Sequence, residues 1–288
     1  LLEWYSVNRR TLPWRGADDP YAILVAEFML QQTGVERVQP IYLAFLRQFP
    51  TFQALANAPR LDVLRAWGGL GYNRRAVHLQ ECAQRVVAEH GGILPRDLAE
   101  LRRLPGVGPY TAAAILSFVF HDDVATVDTN IRRVVGRLFF PSGAREAYLQ
   151  RAATDLIPPG RSSDVNQALM DFGSIQCTAV NPPCLLCPLL DACASGPLAP
   201  APASSRKVAE RAEPYLGSRR FLRGRIVAVV RSMDPGALVP LSDVATAIGL
   251  RPDSPADRQT ADLARQLSAE GLARLVEDAG QLLVGPPI

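Results

Sequence analysis

The chain has 288 residues, enough for one large domain or two ordinary ones with a buried core in either case. Hydrophobic residues make up 48% and charged residues 20%, an ordinary globular profile, and a net charge of +3 singles out no class of partner. No apolar run approaches the roughly 18 residues a membrane span needs, and no signal-peptide pattern is present, so a cytosolic protein is expected. The make-up of the positive charge says more than its sum. Lys207 is the only lysine; every other basic residue except the three histidines is arginine. A GC-rich coding sequence explains such a bias, but the chemical consequence stands regardless of cause. A catalytic lysine amine in the first two hundred residues is excluded.

Helical periodicity dominates residues 1–195. A short first helix carries Trp4 and Tyr5 and ends before Leu12-Pro13. Asp19-Pro20 has the form of a helix cap with a first-turn proline, followed by Ile23, Leu24, Phe28 and Leu30. Further helices are predicted at about 36–49, 60–66, 73–90, 97–103, 110–120, 129–139, 145–156 and 163–175, with no strand signal among them. Residues 196–217 are rich in Pro, Ala and Ser and read as a linker. In 218–288, helices are predicted at about 219–232, 241–249 and 255–270, then two strands joined at Ala279-Gly280. Three helices and a hairpin are the order of a winged-helix module. The expected organisation is therefore an all-α domain over 1–195, a linker over 196–217, and a small winged-helix-like α+β module over 218–288.

Four of the five cysteines fall at Cys177, Cys184, Cys187 and Cys193, a C-x6-C-x2-C-x5-C spacing. Without a secretion signal, such clustering argues for metal before disulfides. Zinc knuckles usually show two short C-x-x-C pairs and only one is present, so the spacing favours an iron–sulfur cluster, with zinc or a metal-free knuckle as alternatives. Cys82 lies at helical spacing from Leu79 and Val86 and reads as core.

Two helices are separated by Leu104-Pro105-Gly106-Val107-Gly108-Pro109-Tyr110-Thr111. Glycines at 106 and 108 permit positive φ and leave the backbone unshielded. The free N–H groups that open the next helix can then hold a phosphate oxygen. An ordinary tight turn is the plainer reading. Two carboxylates complete the set. Glu27 stands on the apolar face of its helix, where burial should raise its pKa into the range of a general acid near neutrality; a buried glutamate paired with arginine is the alternative. Asp128 precedes Ile131, Val134, Val135 and Leu138 at an N-cap position. Beyond capping, an aspartate kept ionised by a helix N-terminus could stabilise a sugar cation. The pairing resembles sugar hydrolysis by two carboxyl groups.

Those motifs stand in Ala26-Glu27-Phe28-Met29-Leu30-Gln31-Gln32-Thr33 and Val127-Asp128-Thr129-Asn130-Ile131-Arg132-Arg133-Val134. With Leu12-Pro13-Trp14-Arg15, Gly69-Leu70-Gly71-Tyr72, the LPGVG hairpin and the cysteine loop, residues 1–195 resemble the adenine glycosylases of the helix-hairpin-helix, or endonuclease III, superfamily. The resemblance implies that superfamily's fold, a six-helix module plus an iron–sulfur module with a DNA cleft between them. It implies a [4Fe–4S] cluster on Cys177, Cys184, Cys187 and Cys193, and phosphate binding by Gly106, Val107 and Gly108. Glu27 would protonate adenine N7 and later help activate water. Asp128 would stabilise the sugar cation, and Tyr110 and Asn130 would support the pair. Gln32 and Tyr72 would wedge into the duplex as the base flips out, and Arg15, Trp14, Val35 and Gln167 would line the adenine pocket. Endonuclease III carries a strand-cleaving lysine at the place of Tyr110, so a monofunctional hydrolase is implied.

The implied partner is double-stranded DNA with mismatched or oxidised base pairs. No membrane is implied, and the expected protein is a monomer at the bacterial nucleoid in the cytoplasm. Two departures stand out. Asn73 replaces the second tyrosine usual after Gly-Leu-Gly, and 218–288 is too short for the larger domain with which many members recognise 8-oxoguanine. In that module Arg219, Arg220, Arg223 and Arg225 are candidate DNA contacts, or else a solvated charge run. The expected reaction is hydrolytic removal of adenine opposite 8-oxoguanine or guanine. A thymine/uracil mismatch glycosylase of the same superfamily is the enzymatic rival, and a non-catalytic DNA-binding protein the rival of another class.

Overall fold

The computed structural model describes residues 1–17, 19–196, 216–250 and 255–288. The predicted linker lies outside the described residues except for 196, 216 and 217. Two compact units are present, one built from Leu1–Glu27 with the segment from Leu94 onward, the other from Phe28–Ile93 with the C-terminal segment.

The first unit is helical. It holds α1 (Leu2–Asn8), most of α2 (Pro20–Leu30), α7 (Leu98–Arg103), α8 (Pro109–Phe118), α9 (Thr129–Phe139), α10 (Glu146–Asp155) and α11 (Ser162–Ile175). Apolar residues on α9 recur at 131, 134, 135 and 138, one stripe of a 3.6-residue period. They pack with Leu149 and Ala153 of α10 and with Val165, Leu169 and Phe172 of α11, and Trp4 of α1 meets Phe172 edge-on at 5.0 Å. Helix α2 differs from the sequence expectation. Rather than one apolar face it has nine consecutive buried residues, Tyr21 to Met29, so Glu27 is enclosed by a helix that is buried all round.

The second unit holds α3 (Val35–Gln48), α4 (Phe52–Asn57), α5 (Arg60–Trp67), a 3-10 turn (Gly68–Leu70) and α6 (Arg74–His90). Phe45 and Trp67 pack edge to face there, and Cys82 is fully buried, as its spacing indicated. Burial pushes the Cys82 thiol up to about 12, so it stays protonated and inert. Helix α4 is an addition to the expected elements. It is six residues long, begun by Thr51, whose hydroxyl accepts from the Ala54 N–H at 3.1 Å.

The same unit contains α12 (Arg219–Ser232), β1 (Val239–Pro240), α13 (Leu241–Ala247), α14 (Pro255–Ala269), β2 (Arg274–Asp278) and β3 (Gln281–Gly285). The antiparallel sheet has the order β1-β3-β2, with Asp278 opposite Gln281 across a two-residue turn at Ala279-Gly280, both at positive φ. Such a turn matches the natural twist of a hairpin. The winged-helix-like order is therefore present, with a two-residue third strand that the sequence did not reveal.

Candidate active site

Glu27, Tyr110, Asp128 and Asn130 come together in the first unit. Glu27 is 7% exposed; burial raises its pKa from 4.5 to about 7, a hydrogen bond from the Tyr110 hydroxyl opposes the rise, and the negative charge of Asp128 adds to it. That displacement corresponds to roughly 3 kcal/mol between the charged and neutral carboxyl. Burial also pushes Tyr110 far up, as do the charges of Glu27 and Asp128, so the phenol remains a donor at any ordinary pH.

Asp128 caps α9 as its position indicated. One carboxylate oxygen accepts from the Ile131 N–H at 2.7 Å and the other from the Asn130 amide at 3.1 Å. Burial raises its pKa, while those donors and the nearby Arg133 pull it back toward the ionised form. The two carboxyls thus share a site with unequal support. Glu27 is inclined to hold a proton, and Asp128 has the donors suited to an anion.

The loop before α9 is held from below. Fully buried Asn166 on α11 accepts from the Thr126 N–H at 2.9 Å and donates to the Val124 carbonyl at 2.8 Å and the Ser117 hydroxyl at 3.0 Å. Arg133 acts on the other side. It donates to the Asn130 amide oxygen at 2.9 Å, to the Gly173 carbonyl at 2.6 Å and to the Cys177 carbonyl at 2.8 Å. Asn130 presses so closely on α11 that a side chain at Gly173 would lie 2.7 Å from its Cβ. Neither Asn166 nor Arg133 stands out in the sequence, because their partners are mostly backbone groups remote along the chain.

The hairpin needs one correction. Gly106 has φ +75, but Gly108 is extended at φ −87 and caps α8, so only the first glycine requires the left-handed region. Among the described residues, no atom lies within 4 Å of a Cβ placed at Gly108.

Among the expected pocket residues, Arg15 and Gln167 are linked through α1. Arg15 grips the fully buried Asp171 with two bonds, 2.5 and 2.7 Å, and stands 5.9 Å from the Tyr5 ring, while the Tyr5 hydroxyl donates to Gln167 at 2.9 Å. Burial alone would raise Asp171; the guanidinium bonds of Arg15 and Arg10 and the Arg10 N–H outweigh it and hold the carboxyl below its usual value. Half-buried Trp14 precedes Arg15 in the same turn. Val35, Gln32 and Tyr72 belong to the second unit.

In that unit Gln32 and Tyr72 both have positive φ, 57 and 46, a conformation that costs a non-glycine residue about 1–2 kcal/mol. One arginine compensates both loops. Arg75, on α6, donates to the carbonyls of Phe28 and Met29 at 2.9 Å each, to that of Gln31, and to the Thr33 hydroxyl at 2.9 Å. It also reaches the carbonyls of Gly71 at 3.3 Å and Tyr72 at 3.4 Å. Burial lowers its pKa to about 10, still charged at neutrality. Nothing in the sequence marks a guanidinium whose partners are carbonyls, so Arg75 is absent from the expected site.

Cys177, Cys184, Cys187 and Cys193 line one recess with Val134, Leu138, Phe172 and Leu190, and none of the four is in a disulfide. Burial raises the Cys187 thiol, and the other three cysteines add to the rise, as neighbours would. Among the described residues no group of His, Cys, Asp and Glu side chains is arranged to hold a single metal ion.

The chain is similar to known proteins. Residues 25–159 match the HhH-GPD superfamily of base excision DNA repair proteins. The adenine DNA glycosylase of Mycolicibacterium smegmatis is 43% identical over 238 residues, covering 80% of this chain and 79% of the relative. This chain belongs to the adenine DNA glycosylase family. The Mycobacterium tuberculosis member is 42% identical over 81% of this chain and 78% of its own length. The human one is also 42% identical, but over 67% of this chain and 38% of that protein. Among solved structures, a thermostable thymine-DNA glycosylase superposes with a TM-score of 0.64 at 34% identity, over 67% of this chain and 91% of its own. A trapped endonuclease III–DNA covalent intermediate gives 0.60 at 26% identity over the same shares. In this family member no helix among the described residues is long and apolar enough to cross a membrane. The cation run on α12 is corrected as well: Arg223 is committed to Glu270 by two bonds, leaving Arg219, Arg220 and Arg225 as its exposed arginines.

Proposed function

We propose that this adenine glycosylase hydrolyses the bond between sugar and adenine in duplex DNA, at adenines opposite 8-oxoguanine or guanine, without cutting the strand. The observation that carries the reading is the shared site of Glu27 and Asp128, one carboxyl raised to about 7 and the other capped by N–H donors. Glu27 delivers its proton to adenine N7. The C1′–N9 bond then breaks, its electron pair leaves with the base, and the sugar becomes an oxocarbenium ion. Asp128 faces that cation as an anion, as an ion pair or as a transient ester. Water adds to C1′ and gives a proton to the Glu27 carboxylate, leaving free adenine and an abasic site. Tyr110 holds the Glu27 carboxyl and Asn130 that of Asp128. Trp14, Arg15 and Gln167 of the first unit are assigned to adenine binding; Val35 of the second unit is assigned the same role, and Gln32 and Tyr72 to the gap left in the duplex.

Gly106, Val107 and Gly108 hold a backbone phosphate of the duplex. The open space at Gly108 supports this, because a phosphate oxygen can reach the N–H groups that begin α8. Strand cleavage through a Schiff base needs an amine that Tyr110 cannot supply, and the only lysine of the chain is Lys207. We take 1–195 as the catalytic domain and 218–288 as an appended module. The protein acts as a monomer at the nucleoid.

The four thiols around one apolar recess fit a polynuclear iron–sulfur group better than a lone ion. Cys177, Cys184, Cys187 and Cys193 would hold a [4Fe–4S] cluster, which supplies a rigid anchor for the loop rather than hydrolytic chemistry. Metal analysis should find about four iron atoms per chain, and none after all four cysteines are replaced.

A second reading, thymine or uracil removal from mismatches, is favoured by the likeness to the thermostable thymine-DNA glycosylase. Single-turnover assays on A:8-oxoguanine, A:G, T:G and U:G duplexes separate the two. Adenine release from the first pair of substrates is expected; thymine or uracil release without adenine would replace the reading.

A further inference from the structure

The C-terminal module has no part in the chemistry above, yet it meets the loop that carries Tyr72. At the end of α12, the carbonyls of Arg231 and Met233 accept from the Arg65 guanidinium of α5 at 3.1 and 2.8 Å. Arg231 reciprocates by donating to the Gly68 carbonyl, four residues before Tyr72. At the start of the same helix, Arg220 places its guanidinium 5.5 Å from the centre of the Tyr72 ring. Arg75 stands over that ring at the same distance. Two cations therefore attend one phenol that is 47% exposed and rises from a left-handed backbone position.

A ring that must enter a base stack gains from holding its direction before DNA arrives, since ordering it afterwards costs affinity and rate. A guanidinium over the ring face fixes that direction through the ring quadrupole and leaves the edge uncovered. Arg75 is buried in its own carbonyl bonds and belongs to the catalytic segment. Arg220 is exposed and comes from a different module, secured by the Arg65 and Arg231 bonds. Arg223, one turn on, is tied to Glu270 and takes no part.

We propose that the C-terminal module is a positioning element for base extrusion, in which α12 lays Arg220 on Tyr72 and aims the ring at the duplex. Arg220 acts through Tyr72 and is not itself a phosphate ligand. The inference rests on the reading of Tyr72 as a wedge.

The test uses the full chain and duplexes with 2-aminopurine beside the target adenine, whose fluorescence rises on unstacking. Arg220→Ala should lower both that rise and the single-turnover rate by about two- to five-fold, the size of an exposed cation–π contact, with the melting temperature unchanged. Arg220→Lys should recover most of the loss. Tyr72→Ala should be worse, and the double variant no worse than Tyr72→Ala, because one residue works through the other. Additive losses in the double variant, or an Arg220→Ala protein whose affinity has a shallower salt dependence, would mean a direct phosphate contact and overturn the proposal. Full unstacking by Arg220→Ala beside an impaired Tyr72→Ala would overturn it too while leaving the wedge intact. Full unstacking by Tyr72→Ala removes the wedge reading and the inference together.

Discussion

The acid site of the first unit and the arginine clamp of the second bury charge for opposite ends. Around Glu27 the Tyr110 phenol is the hydrogen-bond donor and the Asp128 charge is repulsive, so desolvation moves its proton affinity toward neutrality. Around Arg75 there are five carbonyls and a hydroxyl, so its charge is matched and its surroundings are fixed. Sparse partners make a buried ionisable group reactive; abundant partners make it a brace.

The contrast breaks first at the carboxyls. Glu27→Gln and Asp128→Asn should each lower the single-turnover rate by about two to four orders of magnitude, as loss of a general acid or of a charge facing the transition state does. Their folding midpoints should move little by comparison. If both variants retain wild-type rates, the chemistry lies elsewhere. Arg75→Met should show the reverse, a stability loss of about 3 kcal/mol or more from carbonyls left without donors, read from denaturant midpoints. Its rate per folded molecule should fall only as far as the loops of Gln32 and Tyr72 lose their shape.

A subtler difference appears in pH. The folded Glu27 value, about 7, lies above its ordinary 4.5, so the native state binds more protons than the unfolded chain between those values. Its contribution to stability is full below about 4.5 and is lost as the pH climbs through 7, a swing of roughly 3 kcal/mol at most. Glu27→Gln should flatten that slope. Arg75 remains charged in both states over the same interval and should add no slope of its own. The smallest effect concerns Gly173. An alanine there must push α9 from α11 by the Asn130 contact, costing about 1–3 kcal/mol, and calorimetry should find it alongside a slower reaction, since Asn130 carries the Asp128 carboxyl.

The same contrast explains what can be read in advance. Glu27, Tyr110 and Asp128 lie in contiguous motifs, and the apolar stripe of α9 ends in a good cap, so helix and carboxylate are visible together. Most helices betray themselves by period. The six residues of α4 are too few to show one, and β1, at two residues, carries no pattern. The all-round burial of α2 is written in its composition, which is apolar on every side except at Glu27 and leaves no polar face. Arg75, Arg133 and Asn166 are illegible for a different reason. Each satisfies backbone groups far along the chain, and backbone groups leave no mark in a sequence. Arg223 reads as a surface cation because its partner, Glu270, lies 47 residues away.

Gly108 sits in ordinary extended geometry beside empty space. Replacing it with alanine should leave abundance and melting behaviour as they are while impairing attachment to the duplex. Selection for a well-expressed chain would therefore be blind to this position, whereas selection for a low mutation rate would see it at once. A library screened once by yield and once by mutation frequency should rank this substitution oppositely in the two screens, and rank a Gly173 substitution alike in both.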